Sequence, residues 1–150
     1  GKPLPPIADI VKMKGDAKRG ETLFHGEQAK CATCHRVGNQ GKDIGPDLTA
    51  AAKKFSAPIL LDSILNPSSA ITFGFEGIKI LTNEDEVYEG IVMGEGKTVL
   101  IKDVAGEIHA VDAKDIAQRK KMKISIMPEF KGALSGQELA DIIAFLQSQK

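Results

Sequence analysis

The clearest hydrophobic periodicity lies near the C-terminus, where Leu139, Ile142, Ile143 and Leu146 recur at helical spacing within LSGQELADIIAFLQSQ. Ser135 with Glu138 predicts a capping box that opens this helix. A second helix is predicted over residues 16–28, DAKRGETLFHGEQ, with Asp16 as its N-cap and Ala17, Leu23 and Phe24 broadly on one side. Gly20 falls inside it. A glycine there costs about 1 kcal/mol relative to alanine, which is easiest to explain if another helix crosses closely at that point. SAPILLDSILNP (56–67) predicts a short helix, started by Ser56 or Pro58 and stopped by Asn66-Pro67.

Residues 73–112 change texture. FEGIKIL, VYEGIVM, TVLIKDV and EIHAV are short and β-branched, separated by TNEDE, GEGK and AGE. The separators carry turn chemistry, so three or four antiparallel strands joined as a meander are predicted, with a solvated, charged NEDE tip. AKDIAQRKKMK (113–123) fits either a helical turn or an extended return segment. Residues 1–15, with three prolines and a short IADIV, read as a lead-in arm. VGNQGKDIGPDL (37–48) reads as a glycine-rich loop, and SIMPEF (125–130) as a loop stiffened by Pro128. No internal repeat or low-complexity tract is present.

Size and charge narrow the function classes. At 150 residues the chain suits one domain, taken as 1–150. Its 20 basic and 20 acidic residues cancel, which argues against a generally basic nucleic-acid binder and leaves steering to local patches. No run of about eighteen apolar residues would span a membrane. The first twenty residues lack the apolar stretch of a secretory signal. The sequence fits a mature product or a piece of something longer, so that lack says nothing about compartment.

The chemistry concentrates in KCATCHR (30–36), which holds both cysteines, Cys31 and Cys34, followed at once by His35. A disulfide between them would close a tiny loop and stabilise little. A thioredoxin-like C-x-x-C needs a preceding strand, whereas a helix precedes this one and a glycine loop follows. A structural zinc site needs four ligands, and only His25 and His109 remain to complete it. C-x-x-C-H is the attachment motif of c-type haem. Two intervening residues let one turn of chain bring both thiols to the two vinyl positions and the imidazole under the ring. Cys31 and Cys34 are thus expected to form thioethers and His35 to be the proximal iron ligand.

An electron carrier wants a sixth ligand, commonly a methionine sulfur, whose soft thioether favours ferrous iron. Among Met13, Met93, Met122 and Met127, only Met127 lies in a proline-bounded loop next to a helix. The alternative reading of Met127 is core filler. His109 is the rival ligand, or else an exposed strand residue; His25 is expected to be a surface or rim group. Pro46 in IGPDL is the candidate carbonyl to accept the second N–H of His35, and Leu48 is expected to cover a haem face. Arg36, Lys53 and Lys54 are candidates to neutralise a propionate, or are simply solvated. RKKMK (119–123) would steer an acidic partner if it lay by the haem edge, and is otherwise a solvated charge run.

In their order along the chain, GDAKRGETLF, CATCH, GPDL, SIMP and ELADIIAFL resemble class I cytochromes c. The resemblance implies a mainly α fold in which the first and last helices cross at near right angles, with Gly20, Phe24 and Phe145 at the contact. The pattern is closer still to the haem-binding domain found in many planctomycete-type proteins, whose middle section DSILNPSSAI and FGFEGIKILTNEDEVYEGIV resemble. Over about residues 14–148 the resemblance implies a β meander inserted between the proline loop and the axial methionine loop. It implies one covalent haem c with iron, redox protein partners, and an exported compartment such as the periplasm. The leading expectation is a non-enzymatic electron carrier. The alternatives are a haem module of a larger dehydrogenase, a peroxidase, or a gas sensor with a labile sixth ligand.

Overall fold

The computed structural model describes residues 3–71 and 74–149. The chain forms two compact units. One comprises the residues up to Ala70 together with those from Pro128 onward; the other is Ile71–Met127.

The first unit is helical. Its first helix, α1 (Ile7–Val11), comes from the segment expected to be a loose arm. Ile10 is fully buried and Leu4, Ile7 and Met13 pack on the same core, so apolar burial docks the arm despite its prolines. The next helix, α2 (Ala17–His25), starts where predicted, with the Asp16 carboxylate accepting the Arg19 N–H at 2.8 Å. It stops three residues earlier than expected, at the Gly26 C-cap. α3 (Ala51–Lys54) is a single turn that the sequence did not announce. α4 (Ala57–Leu65) has Pro58 in its first turn, where a missing N–H costs nothing, and ends at Asn66. α5 (Gly136–Gln147) opens with the capping box: Ser135 Oγ accepts the Glu138 N–H and Glu138 Oε1 accepts the Ser135 N–H.

α2 and α5 make the closest contact in this unit. A Cβ on Gly20 would fall 1.9 Å from the Asp141 carbonyl oxygen and 2.9 Å from Phe145 Cβ. Only a glycine lets the two backbones meet, which accounts for the mid-helix glycine. Phe24 and Phe145 pack beside it with tilted rings, their centroids 5.4 Å apart. Asp141 is buried at the same crossing. Its carboxylate accepts the Asp16 backbone N–H (2.9 Å), Arg19 Nε (2.9 Å) and Gln137 Nε2 (2.9 Å). Burial alone would push its pKa up; the bonds from Arg19, Gln137 and Asp16, with the Arg19 charge, overcome this and hold it below the ordinary carboxylate value.

Two strands belong to this unit: β1 (Arg36–Val37) and β2 (Gln40–Gly41) form a minimal hairpin within the expected 37–48 loop. Gly38, at φ +60°, supplies the turn.

The second unit is a five-stranded antiparallel sheet of β3 (Ile78–Thr82), β4 (Val87–Gly94), β5 (Thr98–Lys102), β6 (Ile108–Asp112) and β7 (Ile116–Lys121), in the order β6-β5-β4-β3-β7. Four strands form the meander expected over 73–112, of which Phe73 lies outside the described residues. The extended alternative for 113–123 is the one observed: β7 returns along β3, pairing Ile80 with Arg119 and Ile78 with Lys121. Ile78, Ile80, Val99, Ile101 and Val111 form the sheet's core, with Tyr88, Val92 and Ile116 against it. RKKMK is therefore largely an edge strand, and its exposed Arg119, Lys120 and Lys121 discourage further pairing. Arg119 forms an ion pair with Glu95.

Candidate functional site: the Cys31–Leu48 segment

Residues 30–35 form a tight knot. Lys30 adopts the left-handed conformation (φ 53°, ψ 30°), its N–H donating to the Gly26 carbonyl at 3.0 Å. A 3-10 turn over Cys31–Thr33 follows. The Cys31 carbonyl accepts from both Cys34 N–H (3.1 Å) and His35 N–H (2.9 Å). These bonds put two thiols and an imidazole on one turn, as the motif requires. Cys31 and Cys34 are half-buried and not bridged to each other.

The loop after the small hairpin is laced alongside. Gly45 N–H donates to the Cys34 carbonyl at 2.7 Å, and Leu48 N–H to the Arg36 carbonyl at 2.9 Å. This places the Pro46 carbonyl 2.7 Å from His35 Nδ1. A carbonyl only accepts, so Nδ1 carries the proton and Nε2 keeps its lone pair. Burial pushes the imidazole pKa down, against the smaller upward pull of the Pro46 carbonyl, so His35 is neutral at neutral pH.

Two glycines of this loop matter in a way that the sequence did not single out. A Cβ on Gly45 would sit 2.6 Å from His35 Cε1, 2.8 Å from Nδ1 and 3.1 Å from Nε2. Gly45 thus lies flat against the imidazole. A Cβ on Gly41, at φ +101°, would fall 2.0 Å from the His35 carbonyl oxygen. Both read as loop formers in sequence, because the pattern of glycines marks a loop without saying which one touches a ring.

The thiols are not poised as nucleophiles. Burial pushes Cys31 up to about 11, and burial likewise raises Cys34 against the opposing Lys42 charge. Low-pKa thiolates would mark a redox-exchange site; burial instead favours the protonated form of both thiols. The donor set fits haem c well: two neutral sulfurs on one turn, and a neutral imidazole of fixed tautomer with its Nε2 unprotonated.

The structure brings Cys31, Cys34, His35, Pro46 and Leu48 together in the helical unit, with Cys31, Ala32 and Leu48 packing on its core. Arg36, Lys53 and Lys54 are exposed. His25 is exposed, with its ring against Phe24 and Phe145, in keeping with a surface group. His109, expected to be an exposed strand residue if not a ligand, is half-buried on β6 and pairs through Nε2 with Asp103 Oδ2 at 2.8 Å. Met127 closes the sheet unit, half-buried, its N–H donating to Ser125 Oγ at 3.1 Å.

These features are those of a c-type haem attachment site. Comparison with known proteins points the same way: residues 17–84 match the cytochrome c family model. That match runs from α2 through β3. The chain is also similar to a cytochrome c-553-like protein of Synechocystis, 32% identical over 62 residues, which is 41% of this chain and 55% of that protein. The chain thus spans about half the length of the curated relative it matches. No helix among the described residues is long and apolar enough to cross a membrane.

Proposed function

We propose that this chain is a monohaem c-type cytochrome that carries single electrons between redox proteins in an exported compartment, residues 1–150 acting as one haem domain with the sheet as an insertion. Cys31 and Cys34 would hold haem c through thioethers, with His35 and Met127 as axial ligands. Bound there, haem c supplies a one-electron Fe(III)/Fe(II) couple. The observation that carries the reading is the His35 Nδ1 bond to the Pro46 carbonyl at 2.7 Å, which leaves Nε2 as a donor of fixed tautomer. That bond also raises the basicity of the donor nitrogen. Leu48 and the apolar core beneath it exclude water from the buried side of the motif. Met127, as a soft thioether, would favour the reduced state. No nucleic-acid partner is proposed, because the formal charge is zero; the donor and acceptor are taken to be proteins.

The test is made on material from cells able to attach haem. The intact mass should equal the polypeptide plus one haem, iron should be stoichiometric, and colour should stay with the chain through acidified organic extraction. The oxidised spectrum should show the weak long-wavelength methionine-to-iron band. A colourless chain at the apoprotein mass refutes the haem. A high-spin spectrum without the band refutes the His35/Met127 pair.

A further inference from the structure

We propose that Gly77 and Ser125 are positioning residues for Met127, which they hold from the sheet unit; this rests on the reading of Met127 as an iron ligand. Gly77 lies one residue before β3. Its carbonyl accepts the Met122 N–H at 2.8 Å, which pins the chain leaving β7. A Cβ at Gly77 would lie 3.1 Å from Ile126 Cγ2 and 3.1 Å from Met122 Sδ, tighter than ordinary contact. Residues 122 and 126 therefore close over a site that only a glycine fits without displacement. Ile126 is bonded directly to Met127, so its seat on Gly77 fixes where the Met127 backbone begins. The next atom along is held too: Met127 N–H donates to the Ser125 hydroxyl at 3.1 Å, a serine turn two residues long. Pro128 then restricts Met127 to extended backbone conformations. Met127 is thus constrained before, at and after its own Cα, while Ile124 in the same loop is 69% exposed.

Such fixing pre-organises a ligand against competitors. The experiment is an imidazole titration of the oxidised, haem-loaded protein, read by loss of the methionine-to-iron band, with thermal unfolding measured alongside. Ser125→Ala should lower the half-displacing imidazole concentration about tenfold, the equivalent of one hydrogen bond. Ser125→Thr, which keeps the hydroxyl, should titrate like the parent protein. Gly77→Ala should shift the titration in the same direction as Ser125→Ala, and adding Ile126→Ala to it should reverse part of that shift by making room for the new methyl. If Met127→Ala removes the band but Ser125→Ala and Gly77→Ala titrate like the parent, the positioning role is wrong and the ligand assignment survives. A lowered melting temperature with unchanged titration likewise overturns it, as a purely structural effect. If Met127→Ala leaves the band intact, the ligand assignment itself fails and the positioning role falls with it.

Discussion

Gly45→Ala offers the sharpest test of the histidine seat. The added Cβ would meet His35 Cε1 at 2.6 Å, against the 3.4 Å at which ordinary contact begins, so ring and loop must part by about 0.8 Å. The ring cannot retreat freely, because Nδ1 is bonded to Pro46, the residue next to the substitution. Overpacking of this kind costs about 1–3 kcal/mol. Weakening the Nδ1 bond adds about 1 kcal/mol. With an m-value of about 2 kcal/mol/M, the total of roughly 2–4 kcal/mol lowers the urea midpoint by about 1–2 M. The assay is urea unfolding of the haem-loaded protein, followed by absorbance. Gly38→Ala is the internal comparison: a Cβ there meets nothing within 4 Å, and only its φ of +60° is unfavourable. That variant should lose about 1 kcal/mol, a shift of about half a molar. Equal shifts for the two variants would refute the argument that Gly45 is required for its contact with the imidazole.

Further outcomes follow from other parts of the molecule. Gly20→Ala should destabilise by about 3 kcal/mol or more in the same assay, despite its better helix propensity, because the new Cβ would fall 1.9 Å from the Asp141 carbonyl oxygen. Asp141 has a depressed folded-state pKa, so its contribution is present above about pH 4 and is lost as pH falls through the folded value. In Asp141→Asn, stability measured from pH 5 down to pH 2 should fall less steeply than in the parent protein. Lys30→Gly should stabilise the chain by about 1 kcal/mol, since its left-handed backbone is free only for glycine. Cys34→Ser should leave a single thioether, detected as a shifted absorption maximum of the alkaline pyridine-treated protein.

Where a residue type has few uses, its role could be read from sequence alone. The C-x-x-C-H spacing, the Ser135–Glu138 box and the Asp16 cap each depend on contacts within five residues, and the structure reproduces the box, the cap and the turn that the motif needs. Gly20 and the Pro46 carbonyl bridge separate segments, yet Gly20 stood out as a helix-interior glycine and Pro46 as part of a motif with a known partner. The rule that a ligating histidine gives its second N–H to a carbonyl, rather than periodicity, supplied that partner. What escaped notice was set by tertiary burial. The proline-rich arm forms α1 because Ile10 finds a core. Over 113–123 the sequence left a helical turn and an extended return segment open, and the edge of β3 decides for the strand. Gly45 looked like any loop glycine because nothing local reveals which side chain will lie on it.

The Asp16 N–H bond to Asp141 joins positions 125 residues apart. Loop-closure entropy makes such a contact slow to form, and a protein whose principal helix pair is so distant in sequence folds late. A chain emerging from the ribosome has no partner for α2 until α5 is synthesised. The sheet's hairpins, by contrast, pair neighbours and can form well before then. Contact order thus separates a sheet assembled from sequence neighbours from a helix pair, α2 with α5, that can close only once α5 has been made.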